Sequence, residues 1–224
     1  MIISNSVVPF EIRNFLFAVI AVSLLSCSNN DPSPVALIPV TYKNLNADYA
    51  PIVFTPTGEA VRPKQTNRFT FFSFLTGTLV NRTDSATAKW DVAFRGTTII
   101  VNGGKNRKGN ASVQLVDGAF EDLATAPIDG YNTDNQVDDR KPVPTSYAIQ
   151  DQSGKGWYTV DPLTRLIAPI PEKIIVVRTS DGRYAKMQIL SYYQNAPATV
   201  NNLTDLDRYY TFKYIYQPGA SNNF

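Results

Sequence analysis

The dipeptide Asp181-Gly182, set between two strand-like runs, constrains this chain most. Lys173–Thr179 (KIIVVRT) precedes it and Arg183–Tyr193 (RYAKMQILSYY) follows it. Asp-Gly in that setting predicts a hairpin, because glycine tolerates the positive φ that a tight reversal needs. In the second run Ala185, Met187 and Ile189 alternate with Tyr184, Lys186 and Gln188, so each set shares one face of a strand. Arg208–Tyr216 (RYYTFKYIY) likewise puts Tyr210, Phe212, Tyr214 and Tyr216 on a single face.

The same reading extends upstream. Phe69–Leu75 is dense in aromatic residues, Lys89–Arg95 alternates, Thr97–Val101 is β-branched and Ala111–Val116 alternates again. Such compositions favour pleated, half-buried backbone. No amphipathic helix longer than a few turns is evident, and no internal repeat; Phe120–Ala124 reads as one turn at most. The expected fold is therefore all-β: a single, mostly antiparallel domain with long connecting loops. The loop Gly103–Asn110 carries Lys105, Arg107 and Lys108 and reads as a solvated tip joining two strands. A longer connection, from about Glu121 to Gly156, exceeds what compact domains usually leave unstructured. Its Tyr131, Tyr147 and Ile149 predict that it packs onto the body.

The N-terminus reads differently. Residues 15–25 (FLFAVIAVSLL) are shorter than the roughly 20 apolar residues a bilayer span requires. They fit the apolar core of a secretory signal. Leu24-Leu25-Ser26-Cys27 resembles a bacterial lipobox, which implies cleavage before Cys27 and a lipid on its sulfur. Ser28–Pro34 follows, polar and proline-bearing, as a tether does. The expected organisation is a signal peptide over 1–26, a lipidated tether over 27–40 and one domain over 41–224. Cys27 is the single cysteine, so no disulfide supports the fold. A net charge of +2 argues against nucleic acid as the main partner.

Chemistry is limited by an absence: the chain contains no histidine. Ser-His and Cys-His nucleophile pairs are excluded, and so are zinc sites of Cys/His type. The carboxylate pairs Asp138-Asp139, Asp205 with Asp207, and Glu121-Asp122 lie in polar loops, where solvation is the usual role. The balance favours a binding protein over an enzyme. If the ligand were haem, an axial donor would be needed, from His, Met, Cys or Tyr. Met187 falls on an inward strand position and reads as core. The remaining candidates are Tyr131 and Tyr147 in the long connection and Tyr158 just after it. Each reads equally well as an amphipathic packing residue. Arg165, Arg140 and Lys141 are candidate partners for carboxylates of such a ligand.

Five segments together resemble the HmuY family of haem-binding lipoproteins from Bacteroidetes. They are Trp90–Ile99 (WDVAFRGTTI), Trp157-Tyr158, Ile167–Pro171 (IAPIP), Tyr184–Tyr193 (YAKMQILSYY) and Tyr209–Phe212 (YYTF). The resemblance covers roughly Tyr42 to Gln217. It implies an all-β fold likened to a grasping hand, a lipid anchor at the outer membrane and sometimes a shed form. It also implies haem or another porphyrin as ligand, passed to a TonB-dependent receptor for iron acquisition. Family members ligate iron with paired His or paired Met in the region of the long connection and the hairpin after it. Here residues 121–172 contain neither, and Leu163-Thr164-Arg165 stand where relatives carry a His. The alternative expectation is a lipoprotein of the same fold that binds a protein or a glycan and no haem.

Overall fold

The computed structural model describes residues 37–48, 53–61, 65–105, 107–135 and 146–224. The predicted signal peptide, Cys27, Arg140 and Lys141 lie outside them. The residues from Leu37 onward belong to one compact unit.

Thirteen strands are present among the described residues, joined by turns and one short 3-10 helix, Arg82–Asp84. They are β1 (Val40–Asn46), β2 (Val53–Phe54), β3 (Ala60–Val61), β4 (Thr70–Ser73), β5 (Thr78–Val80), β6 (Val92–Arg95) and β7 (Thr98–Val101). Then follow β8 (Ser112–Asp117), β9 (Tyr158–Val160), β10 (Ile167–Pro169), β11 (Lys173–Arg178), β12 (Tyr184–Tyr193) and β13 (Asp207–Gln217). Every pairing is antiparallel. One sheet has five strands in the order β1-β13-β12-β11-β8, and a second has four in the order β5-β4-β6-β7. The pairs β9-β10 and β2-β3 stand apart as hairpins.

The Asp-Gly signal is realised as a three-residue reversal. Thr179 N–H donates to Arg183 O at 2.8 Å and Gly182 N–H to Thr179 O at 2.9 Å. Gly182 takes φ +78°, which a side chain would resist.

The two large sheets pack face to face through aromatic rings. Phe72 of β4 meets Phe212 of β13 edge-on at 5.3 Å between centroids, and Phe94 of β6 stacks on the same ring at 5.8 Å. Tyr42 of β1 closes on Phe72 at 5.1 Å, and Phe74 meets Tyr214 at 5.5 Å. The inward set expected of β12 and β13 lies in this core, with Ala185, Met187, Tyr210 and Phe212 all buried. Each such aromatic removes a large apolar area from water, so this face supplies most of the driving force for folding.

The outer faces are covered too. On the five-strand sheet Ile174, Val176 and Ile215 pack under Phe120 and Ala126. Lys186 sits there only 3% exposed, its ammonium donating to Phe120 O at 2.7 Å and Leu123 O at 2.8 Å. Burial lowers its pKa, and the Phe120 ring lies 4.5 Å away on a cation–π contact. On the four-strand sheet Trp90, Ala93 and Ile100 form a further cluster with Phe69, Phe71 and Tyr147.

The described parts of the long connection pack as its apolar residues predict, with Ile149 in the main core. Its anchor is Asp134, a buried carboxylate that accepts the N–H of Val101 at 2.8 Å and of Ala148 at 2.9 Å. The loop Gly103–Asn110 departs from the solvated tip read from its charges. It crosses from β7 in one sheet to β8 in the other. Arg107 turns inward, 5.3 Å over the Trp90 ring and 3.5 Å from Asp134. A buried carboxylate draws in the nearest cation, and the Arg stem covers apolar surface on the way.

Candidate functional site

Two turns face each other at one edge of the molecule and enclose an open cleft of about 550 Å³. One wall is the β9–β10 turn. There Asp161 accepts the N–H of Leu163 at 2.9 Å and of Thr164 at 2.7 Å, which holds its carboxyl below the usual carboxylate range. Arg165 follows at φ +62°, its N–H bonded to Asp161 O at 2.9 Å.

The other wall is the connection from β12 to β13. Asn201 Oδ1 accepts the N–H of Leu203 at 2.9 Å, and Asp205 Oδ2 accepts the N–H of Asn201 at 2.8 Å. Asn195 joins this wall to β1 by a reciprocal pair with Asn44, at 2.9 and 2.7 Å. Both walls are therefore built from their own side-chain-to-backbone bonds and stand ready without a ligand.

Arg165, Leu166, Tyr193, Leu203, Asp205 and Leu206 are among the residues that line the cleft. Leu163 and Leu203, at the two turn tips, are 91% and 89% exposed. Tyr193 lies at the back, its hydroxyl accepting the N–H of Ile167 at 3.0 Å. Burial raises the pKa of that phenol. Among the described residues none forms a group of carboxylate, His or Cys side chains able to hold a metal ion.

A smaller cavity of about 260 Å³ adjoins the cleft and shares Asp207 with it. Its lining includes Gln65, Asn67, Arg95, Thr97 and Arg208.

The sequence candidates fall in three places. Arg165 lines the cleft. Tyr158 is buried, its hydroxyl donating to Asp151 at 3.1 Å, and Asp151 in turn accepts Thr98 Oγ1 at 2.5 Å. Burial raises the pKa of the Tyr147 phenol, and the charge of the nearby Arg95 guanidinium works against that rise. Neither tyrosine lines the smaller cavity, although Arg95 and Thr98 beside them do. Tyr131 stands on the outer face of the five-strand sheet, donating to Pro127 O at 3.0 Å and packed 6.3 Å from the Tyr184 ring. The structure thus brings Tyr147 and Tyr158 near one another's partners and leaves Tyr131 apart.

A family model described as HmuY protein matches residues 65–214. The chain belongs to the HmuY family. No curated protein matches it. Similar solved structures include the apo HmuY analog of Tannerella forsythia, at 16% identity with a TM-score of 0.44, covering 82% of this chain and 97% of that one. A proposed HmuY-like haem-binding protein of Bacteroides vulgatus shares 22% identity with a TM-score of 0.42, over 67% and 85% of the two chains. A proposed lipoprotein of Bacteroides fragilis shares 17% with a TM-score of 0.45, over 68% and 87%.

Within this HmuY-family chain, the wall formed by residues 194–206 was not read as part of a site. That stretch holds no His, Met, Cys or Tyr, so no residue type in it stands out as a haem donor. The available signal is the even spacing of Val200, Leu203 and Leu206 within a polar run.

Proposed function

We propose that this chain is a binding protein for a haem-type tetrapyrrole, held in the cleft between the β9–β10 turn and the β12–β13 connection. Family membership supports the ligand class. The observation that carries the reading is the leucine that each wall gives to the cleft lining, Leu166 beside Arg165 on one and the exposed Leu203 on the other. Isolated exposed leucines need no explanation, but one leucine from each wall of a single cleft offers apolar contact to a flat ring. The cleft volume falls in the range of small-molecule sites. Arg165 on its wall suits an anionic side group of the ring.

The fit to iron itself is one-sided. The lining contains no His, Met or Cys, and its one phenol, Tyr193, already accepts a backbone hydrogen bond and is disfavoured as phenolate by burial. The ring is therefore held by its faces and edge, with two-sided iron ligation absent. In this reading Cys27 carries the lipid, the protein sits at the outer membrane or is shed from it, and the cargo passes to a TonB-dependent receptor. No enzymatic step is assigned to it.

Absorption titration with haem and with an iron-free porphyrin tests this. Saturable spectral shifts of similar affinity are expected for both, and Leu203→Asp weakens both. A flat response to both ligands overturns it, and a six-coordinate iron spectrum overturns the one-sided grip. A second reading draws on Asn202, Thr204 and Asp205 in the same lining, which suit glycan hydroxyls. Flat porphyrin titrations with saturable glycan binding would favour it.

A further inference from the structure

The smaller cavity has a charge pattern that the tetrapyrrole reading does not use. Arg95 and Arg208 both line it, against one lining carboxylate, Asp207. Asp207 lies 3.8 Å from Arg208 Nε. Two further carboxylates lie near and are engaged elsewhere, Asp151 by Thr98 and Tyr158 and Asp48 by the N–H groups of Thr66 and Asn67. Arg95 is positioned by an aromatic ring: its guanidinium lies 4.4 Å over the Phe69 ring. Arg208 spends one donor on Asp48 O at 3.3 Å, and its buried Nε has no hydrogen-bond partner. A guanidinium offers five donors, so both forks keep unused N–H groups.

Arg208 also sits at φ +65°, a conformation that costs a non-glycine residue energy. The strain is retained while the neighbouring backbone is tied down, Ala47 N–H donating to Arg208 O at 2.8 Å. Strained residues that survive selection concentrate at ligand sites. Thr97, Gln65 and Asn67 add neutral hydrogen-bonding groups to the same walls.

We propose that this cavity binds a small oxyanion, a carboxylate or phosphate group, between the guanidinium groups of Arg95 and Arg208. Planar forks of this kind bind such groups with paired, charge-assisted hydrogen bonds. The proposal does not depend on what the larger cleft holds.

The purified full chain is titrated with inorganic phosphate and, separately, with glucuronate, each against chloride at matched ionic strength. Amide resonances of Gly96–Thr98 and the Nε–H signals of Arg95 and Arg208 are followed by NMR. A saturable shift with either probe, absent with chloride, is expected; which probe saturates identifies the group. Arg95→Gln and Arg208→Gln should each weaken it by about tenfold or more. Lys155→Gln, which removes an exposed positive charge outside both linings, should leave it unchanged. Should Arg208→Gln fail to fold, Arg95→Gln and the charge-retaining Arg208→Lys carry the test. Shifts that chloride reproduces, that never saturate, or that survive Arg95→Gln overturn the proposal.

Discussion

The Asp91 carboxylate accepts the backbone N–H of Ser180 at 2.7 Å across 89 residues of sequence. Its second oxygen accepts the N–H of Phe74 at 2.8 Å. One buried side chain thus ties the β11–β12 reversal to the end of β4. Burial raises its pKa, against the lowering effect of those two bonds. Asp91→Ala orphans both buried donors and is expected to cost about 2–4 kcal/mol. Denaturant midpoints measure this, and a loss under 1 kcal/mol would show that water replaces the carboxylate.

Gly103 is the tightest backbone approach in the loop between the sheets. A Cβ built there would stand 1.8 Å from Ala111 O, which is main chain and cannot swing aside. Gly103→Ala is expected to destabilise by about 3 kcal/mol or more, read from thermal and chemical unfolding. Unchanged stability would mean that the crossing between the sheets has room to shift.

Alkaline pH should destabilise the fold early. Burial raises the phenol pKa values of Tyr131, Tyr192, Tyr210 and Tyr216 above the ordinary 10. Their contribution is fully present below pH 10. Above it the unfolded chain ionises first and the folded state holds more protons, so stability falls as pH rises toward the folded values. Lys186, whose pKa is lowered, opposes this with a single group. Unfolding free energy measured at stepped pH should decline above 10, with tyrosinate absorbance lagging until the fold gives way.

The β9–β10 turn should respond to acid. Asp161 is held below 3.8 by the N–H groups of Thr164 and Leu163. A depressed folded value means that its support is present above the ordinary pKa and is lost as pH falls through the folded one. Amide exchange at Leu163 and Thr164, corrected for the intrinsic pH dependence, should rise in that window while Val176 in β11 stays protected. Asp161→Ala should reproduce the loosening at neutral pH.

Strand faces were legible because period two survives in short segments. Ala185, Met187 and Ile189, or Tyr210, Phe212 and Tyr214, need only their own spacing to declare a face. The family motifs likewise sit in these core strands and lead directly to the family. The candidate site was less legible because its partnerships span long separations. Whether the Tyr158 phenol is free depends on Asp151 and Thr98, and whether that of Tyr147 is free depends on Arg95. The burial of Lys186 depends on a turn 63 to 66 residues away supplying carbonyls. Arg107 looked solvated because the carboxylate that draws it in, Asp134, lies in a different loop. Residue type announced chemistry at the tyrosines, whereas the cleft is assembled from ordinary turn residues.

The capping roles of Asp161 and Asn201 bear on how such proteins diversify. Each turn keeps its shape through one polar residue and the main chain it grips. The side chains at 163, 203 and 204 are therefore released from shaping the turns, whereas Thr164 helps to hold its own by accepting the Leu166 N–H. On the proposed reading, point changes there retune which cargo is accepted while the sandwich beneath stays untouched.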